Sequence, residues 1–222
     1  PALAIKIGLG IPAGIYAALH RNSFADRAVM VLAVAGFTVP SFVLGLLLVL
    51  VFAVQLGWLP STGRGETVEV LGMRWSFLTA DGLAHLVMPA LNLALFKISL
   101  VIRLTRAGVR ETMLMDYVKF ARAKGLSPFR VTFVHVFKNI LIPVVTVTGL
   151  EFGSTIAFSV VTESIFAWPG MGKLIIDSIN VLDRPVIVAY LMIIVLMFIT
   201  INLIVDLTYS MLDPRVRLEG KS

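Results

Sequence analysis

The chain has 222 residues, of which 58% are hydrophobic and only 14% are charged, and its formal net charge is +6. A soluble domain of this length needs far more polar surface than this composition supplies, so an ordinary soluble globular protein is excluded. The chain has no cysteine, which excludes disulfides and thiolate metal sites. The composition therefore indicates an integral membrane protein.

Five apolar stretches are long enough to cross a bilayer, which requires about 20 apolar residues. Because backbone polar groups in lipid must be paired within the chain, each stretch is predicted to be a helix. The sequence thus predicts an all-α membrane protein, a polytopic helical bundle forming one transmembrane domain over residues 1–222. The five spans are 2–19, 28–56, 84–102, 139–162 and 186–211.

Positive charge is concentrated on one side of these spans. Thirteen Lys and Arg residues lie in 20–27, 103–138 and 212–222, whereas the connections 57–83 and 163–185 hold four. By the positive-inside rule, the three basic regions are cytoplasmic, including loop 103–138 and the C-terminus. Five spans then place Pro1 outside, so we expect a sixth span upstream of it.

Three predicted spans carry a charge within the membrane, where charges are usually paired or functional. Lys97 and Asp206 lie at similar depths when helix rise is counted at about 1.5 Å per residue, which predicts a structural ion pair if helix rotation allows it. Glu151 is left alone near the midplane, and we expect it to face a polar cavity or to be protonated. Lys6, near the external end of the first span, is expected to snorkel.

Two further patterns concern backbone geometry within the spans. Pro40 lies near the middle of the second span and predicts a kink, either in a bent packing helix or in a helix that lines a translocation path. Gly8, Gly10 and Gly14 in the first span predict close helix packing and not a dinucleotide fingerprint, which would need a preceding strand. The connection 57–83 is predicted to be an external loop with a small hairpin.

The most basic segment, residues 116–143, carries a net charge of +4 over 28 residues. Helix formers fill 117–124, Gly125 suits a C-terminal helix cap, and Pro128 suits the first turn of a following helix. This pattern predicts a short helix, a turn and a second helix. Anionic lipid is an alternative partner that can coexist with protein docking, whereas nucleic acid has no support beyond charge.

The basic segment resembles the corresponding loop of binding-protein-dependent ABC importer permeases of the dipeptide/oligopeptide/nickel branch. Lys119 and Phe120 replace the Glu and Ala of the general importer motif, a departure typical of this branch. The resemblance continues through 162–172 and 202–215 and implies a type I importer permease bundle with one more span upstream. The matching residues are Tyr117, Val118, Ala121, Arg122, Ala123, Lys124, Gly125, Asn139, Pro143 and Val144.

The resemblance implies a permease subunit of an ATP-driven importer in the bacterial inner membrane, forming half of a path for peptides or a similar small solute. Nickel and glutathione-type systems share the pattern, so the solute stays open. The implied partners are a homologous second permease, two ATP-binding subunits, an external solute-binding protein and membrane lipid. ATP and Mg are expected on the ATPase subunits, with no cofactor on this chain. The alternative, a passive channel or structural subunit, leaves a folded basic loop unexplained.

Candidate functional residues follow from the same resemblance. Neither a P-loop nor a catalytic or metal-binding grouping is present in the sequence; Gly-Met-Gly-Lys at 170–173 lacks the flanking residues of a phosphate loop. We therefore expect a non-catalytic subunit without a metal site. The residues expected to couple to the ATPase are Tyr117, Ala121, Arg122, Ala123, Lys124, Gly125, Ser127 and Pro128. Those expected to line the path or gate are Pro40, Glu151, Glu163, Phe166, Trp168 and Pro169.

Overall fold

The structure, a computed structural model, describes residues 1–212 of the chain, with side chains described through Thr208. Within these residues the chain is helical apart from one two-stranded hairpin, so the all-α prediction is confirmed. The elements are α1 (Ala2–Leu19), α2 (Phe24–Thr38), α3 (Ser41–Leu48, continued by a π-helical turn, Val49–Gln55), β1 (Val68–Val70), β2 (Met73–Trp75), α4 (Ala80–Thr112), α5 (Asp116–Ala123), α6 (Pro128–Arg130, continued by a π-helical turn, Val131–Val136), α7 (Phe137–Ile165), α8 (Met171–Asn180) and α9 (Arg184–Leu212).

Among the described residues, four helices are long and apolar enough to cross a membrane: Ala2–Leu19, Ala80–Thr112, Pro128–Ile165 and Arg184–Thr208. The bent pair of α2 and α3 adds a fifth if it is counted as one span. The count agrees with the five predicted stretches, although α4 and the helix from Pro128 extend well beyond the predicted boundaries. Extension is unsurprising, since hydropathy marks only the apolar part of a helix.

The chain is divided into two compact units, each assembled from three sequence segments. The first contains Pro1–Ile5, Gly36–Lys97 and Gly153–Met197, and the second contains Lys6–Ala35, Ile98–Phe152 and, among the described residues, 198–212. Leu48, Met88 and Phe166 form an apolar core in the first unit. The core of the second unit is made by α1, α4, the basic segment and the start of α7: Ile11, Ile15, Ala18, Val101, Val109, Val118, Ala121, Val131, Val136, Ile140 and Val144.

Two of the three predicted glycines, Gly10 and Gly14, let α1 approach α4 inside the second unit, whereas a Cβ on Gly8 would meet nothing within 4 Å. A Cβ on Gly14 would lie 2.6 Å from the Cβ of Thr105 and 2.8 Å from the carbonyl oxygen of Ile102. A Cβ on Gly10 would lie 2.9 Å from Val101. These distances leave no room for a side chain, so glycine is required for the observed packing.

The chain breaks at Pro40 more sharply than the predicted kink. The two helices on either side, Phe24–Thr38 and Ser41–Gln55, are bent by 106°. Proline disfavours the α conformation in the residue before it, which stops α2. The Pro40 carbonyl then accepts the backbone N–H of Leu44 at 3.0 Å, so Pro40 starts α3. Pro40 is therefore a helix boundary.

The predicted hairpin is present in the connection between α3 and α4. Val68, Glu69 and Val70 pair antiparallel with Trp75, Arg74 and Met73. The two-residue turn has positive φ at Leu71 (55°) and Gly72 (74°), as expected for a turn that matches the twist of two paired strands.

Candidate functional site

The short helix α5 ends in a Schellman motif centred on Gly125. The Gly125 N–H donates to the Arg122 carbonyl at 2.9 Å, and the Leu126 N–H donates to the Ala121 carbonyl at 3.3 Å. Gly125 has φ of +77°, and a Cβ there would meet no atom within 4 Å. The predicted cap is confirmed, and its requirement for glycine is one of backbone conformation alone.

The next helix begins at Pro128, three residues after Gly125, as the sequence predicted. The Ser127 hydroxyl accepts the backbone N–H of Arg130 at 3.4 Å, and Pro128 occupies the first turn. The chain then continues through the π-helical turn Val131–Val136 into α7. The predicted helix, turn and second helix are therefore all present, with the second helix running on into a membrane-spanning one.

One face of α5 is buried in the core of the second unit. Val118 is fully buried and Ala121 is 5% exposed, and both belong to the cluster that includes Val131 and Val136. Residues three apart share a helix face, which explains why these two turn inward together. Ala121, one of the predicted coupling residues, therefore anchors α5 to its own chain.

The opposite face of α5 carries aromatic and basic side chains at the surface. Tyr117 is 42% exposed and Phe120 is 61% exposed, and the Lys124 ammonium lies 4.6 Å from the centre of the Phe120 ring. Arg122 and Ala123 are exposed beside them. Phe120 was missed by the sequence reasoning, although a large apolar residue inside a basic segment is a recognisable sign of an interaction surface.

A second exposed aromatic follows the turn. Phe129 is 71% exposed, and its ring centroid lies 4.5 Å from that of Phe133. Phe129 is adjacent in sequence to Pro128, one of the predicted coupling residues. We name the exposed set Tyr117, Phe120, Arg122, Ala123, Lys124 and Phe129 the docking face.

Tyr117 and Asn139 brace α5 against the start of α7. The Asn139 amide donates to the Tyr117 hydroxyl at 2.7 Å and to the His135 carbonyl at 2.9 Å. Partial burial raises the pKa of the Tyr117 phenol, so this hydroxyl is neutral near pH 7. The bond joins residues 22 positions apart. It gives a structural role to Asn139, a motif residue to which the sequence assigned no role.

Glu151 is paired within the second unit and is not alone, which corrects the sequence-based expectation. The Lys6 ammonium lies 3.3 Å from a Glu151 carboxylate oxygen, and the two side chains are 1% and 11% exposed. Lys6 is therefore buried and does not snorkel. The contact between α1 and α7 was not predicted, because Lys6 was expected at the membrane surface and only the charges of the later spans were compared by depth.

Lys97 and Asp206 carry the other two charges considered within the later spans. The Lys97 ammonium donates to the Ser154 hydroxyl at 2.6 Å and lies 5.9 Å from the Phe158 ring centre. Asp206 is exposed on α9 and has no ion-pair partner within the described part of the chain. Lys97 belongs to the first unit and Asp206 to the second, so their pairing stays a prediction; depth fixes the level of a side chain but not the rotation of its helix.

Residues 163–173 hold the end of α7, the connection to α8 and the first residues of α8, and we call this segment the turn 163–173. Glu163 organises it. Its carboxylate accepts the backbone N–H of Lys173 at 2.9 Å and so caps the start of α8. A Cβ on Gly170 would overlap the Glu163 carboxylate, and one on Gly172 would lie 2.7 Å from the Val160 Cα. The carboxylate thus satisfies orphan amides at a helix start, where negative charge is favoured.

The remaining gate candidates have different environments in the first unit. Phe166 is 1% exposed within the core, and its carbonyl accepts the Gly63 N–H at 2.9 Å. Trp168 is half-buried. Pro169 borders a cavity of about 550 Å³, together with Lys173 and Asp177. Of the six candidates, Glu163, Phe166, Trp168 and Pro169 share one turn.

Within the described residues, no group of three or more His, Cys, Asp or Glu side chains could hold a metal ion. The arrangement instead consists of a braced surface helix, a capped turn and a buried ion pair. These contacts hold helices together in fixed positions.

Comparison with known proteins places these features in one family. A family profile described as "Binding-protein-dependent transport system inner membrane component" matches residues 10–218. The chain is 40% identical over 220 residues to the di/tripeptide transport system permease protein DppB of Pseudomonas aeruginosa, covering 94% of this chain and 66% of that protein. It is 41% identical over 208 residues to the glutathione transport system permease protein GsiC of Escherichia coli K12, covering 94% and 63%.

The fold also resembles a solved transporter structure. An inward-facing structure of the MetNI methionine ABC transporter aligns with a TM-score of 0.73 over 96% of this chain and 89% of that one, at 14% identity. That level of identity supports the fold alone. The chain spans about two thirds of the length of the two permeases.

Proposed function

Because the chain belongs to the family of binding-protein-dependent transport system inner membrane components, we propose that it is a permease subunit of an ATP-driven importer. It forms half of a translocation path and hydrolyses nothing itself. Its solute is a peptide or a glutathione-type molecule, the two classes named for relatives about 40% identical to it. Nickel receives no support from these relatives.

The observation that carries this proposal is the docking face on a rigid helix. α5 is stopped by the Schellman motif, buried through Val118 and Ala121, and bonded to α7 through Tyr117 and Asn139. A displacement of the docking face is therefore transmitted directly to α7, because α5 is bonded to it. A passive channel needs no helix that docks a partner subunit, so the docking face favours an importer over a channel.

The proposed assembly contains a second, homologous permease, two ATPase subunits that bind ATP and Mg, and an external solute-binding protein. The docking face meets an ATPase subunit, with Phe120 and Phe129 as apolar anchors and Arg122 and Lys124 as orienting charges. Loop 103–138 and the C-terminus are cytoplasmic, since they hold most of the positive charge. The tail after Leu212 lies outside the described residues.

On the opposite side of the membrane, the turn 163–173 borders the external mouth. Its support is the cavity beside Pro169 and the capping of α8 by Glu163. Trp168 anchors the turn at the interface, and the break at Pro40 lets α3 leave the direction of α2.

The test is solute-stimulated ATP hydrolysis and uptake by the complete importer in liposomes. Phe120→Ala should reduce solute-stimulated hydrolysis at least tenfold, since central aromatic anchors typically cost 2 kcal/mol or more when truncated. Lys124→Ala should have a smaller, salt-dependent effect of about 1 kcal/mol on assembly with the ATPase. The matched control is Phe24→Ala, which removes a phenylalanine that is 88% exposed outside the docking face. Equal activity of the Phe120 and Phe24 variants would overturn the proposed docking role.

A further inference from the structure

The second unit contains a cavity of about 350 Å³ where the ends of α1 and α4 meet α5. This volume is within the range of ~300–1,000 Å³ that is typical of ligand pockets. The cavity adjoins the basic segment and shares Arg122 with the docking face, while its other lining residues lie outside that face. Its lining includes Arg21, Arg110, Arg122, Glu111, Leu19 and Leu114.

The cavity has a surplus of positive charge. Three arginines face one glutamate, which leaves a formal net charge of +2. Arg122 donates to the Met113 sulfur at 2.9 Å, a weak acceptor. Arg21 and Arg110 have no hydrogen-bonded acceptor within the described residues. The nearby carboxylate of Asp26 is bonded to Arg106 at 2.6 and 2.7 Å and is also within electrostatic reach of Arg110, so it offsets part of the Arg110 charge.

The rim of the cavity is apolar on the side of the helix ends. Leu19 is 48% exposed and Leu114 is 73% exposed. Guanidinium groups bind phosphate oxygens through paired hydrogen bonds, whereas exposed leucines at the ends of membrane-spanning helices suit acyl chains. The ligand that satisfies both is a phosphate ester carrying hydrocarbon chains.

We infer that this cavity binds the headgroup phosphate of an anionic phospholipid from the leaflet facing the basic segment. The bound phosphate neutralises the arginines and braces α5 against α1 and α4. Basic pockets between helices on the cytoplasmic side are suited to such headgroups, because that leaflet is rich in anionic lipid. The inference rests on the proposed membrane orientation, and its test changes Arg21 and Arg110, which lie outside the docking face.

The experiment measures lipid retention by the full-length permease in its assembled complex. The complex is equilibrated in nanodiscs of phosphatidylcholine containing phosphatidylglycerol as the probe, and bound lipid is counted by native mass spectrometry. The test variant is Arg21→Gln/Arg110→Gln. The control variant is Arg27→Gln/Arg103→Gln, which removes the same charge from two exposed arginines outside the cavity. Size-exclusion profiles confirm that both variants assemble.

We expect the test variant to bind phosphatidylglycerol about fivefold more weakly for each arginine removed, while the control variant resembles the wild type. Equal losses in the two variants would show diffuse surface attraction and overturn the site. Unchanged binding in the test variant would overturn it as well. If inorganic phosphate displaced bound phosphatidylglycerol from the complex, the ligand of the cavity would be a free anion and not the lipid. Loss of ATPase binding with lipid retention intact would assign the cavity to a protein partner instead.

Discussion

The two turns that flank α7 both depend on glycine, but for opposite physical reasons. Gly125, before α7, has φ of +77° and open space where a side chain would be. Gly170, after α7, has an ordinary φ of −110°, yet a Cβ there would overlap the Glu163 carboxylate. One glycine is required by backbone conformation and the other by the shape of its surroundings.

This difference separates a local constraint from a tertiary one. Conformation at Gly125 is set by hydrogen bonds to Arg122 and Ala121 within the preceding turn, so any variant must meet the same φ. Space at Gly170 is set by a side chain seven residues away, so changing that side chain changes the requirement. A glycine in a turn therefore does not by itself reveal which constraint applies, whereas a rescue experiment does.

The largest loss of stability is expected from the ion pair of Glu151 in the middle of α7. The losses at the two glycine turns are compared with it. Lys6→Met removes one ion-pair partner of the buried Glu151 carboxylate and should reduce the free energy of unfolding by about 3 kcal/mol. Glu151→Gln in the same chain should recover part of the loss. The measurement is a double-mutant cycle by unfolding in mixed micelles. Strictly additive losses would show that the two side chains act independently.

Next in size is the steric constraint after α7. Gly170→Ala should destabilise the protein by about 2 kcal/mol, because the new methyl group displaces the carboxylate that caps α8. Glu163→Ala/Gly170→Ala should be more stable than the sum of the two single changes predicts, since the truncated side chain leaves room. The same unfolding assay decides the case, and an absence of rescue would mean that backbone strain is responsible.

At Gly125 the effect should be smaller and have a different pattern. Gly125→Ala should cost about 1–2 kcal/mol, the penalty for an L side chain in a left-handed conformation. Gly125→Asn should cost less, because asparagine tolerates this conformation better than other residues with a side chain. Thermal unfolding of both variants tests this order. Equal losses for Ala and Asn would indicate a steric constraint like that at Gly170 and remove the contrast between the turns.

The smallest effect, and one of opposite sign, is expected at Ala167, a non-glycine residue with φ of 45°. Ala167→Gly relieves this strained conformation but adds freedom to the unfolded chain, so we expect a net stabilisation of about 0.5 kcal/mol. A control, Ala123→Gly at an exposed helical position in α5, should destabilise instead. Destabilisation by both changes would show that the positive φ at Ala167 carries no strain.

Part of this architecture was determined by the sequence alone. Composition identified the membrane class, and hydropathy located the five candidate spans. Gly125, Ser127 and Pro128 correctly predicted where α5 ends and the next helix begins, because caps and proline act through bonds within a few residues. The hairpin and the close packing at Gly10 and Gly14 followed from equally local signals of turn chemistry and side-chain size.

Other features were decided only by the tertiary structure. The rotation of α5 turned Ala121 inward and left Phe120 exposed. The approach of α1 to α7 joined Lys6 to Glu151, residues 145 positions apart, and the fold gave Lys97 a bond to Ser154. Glu163 became a helix cap because α8 begins beside it. Periodicity and depth along one helix do not fix its rotation or its neighbour, and these pairings depend on both.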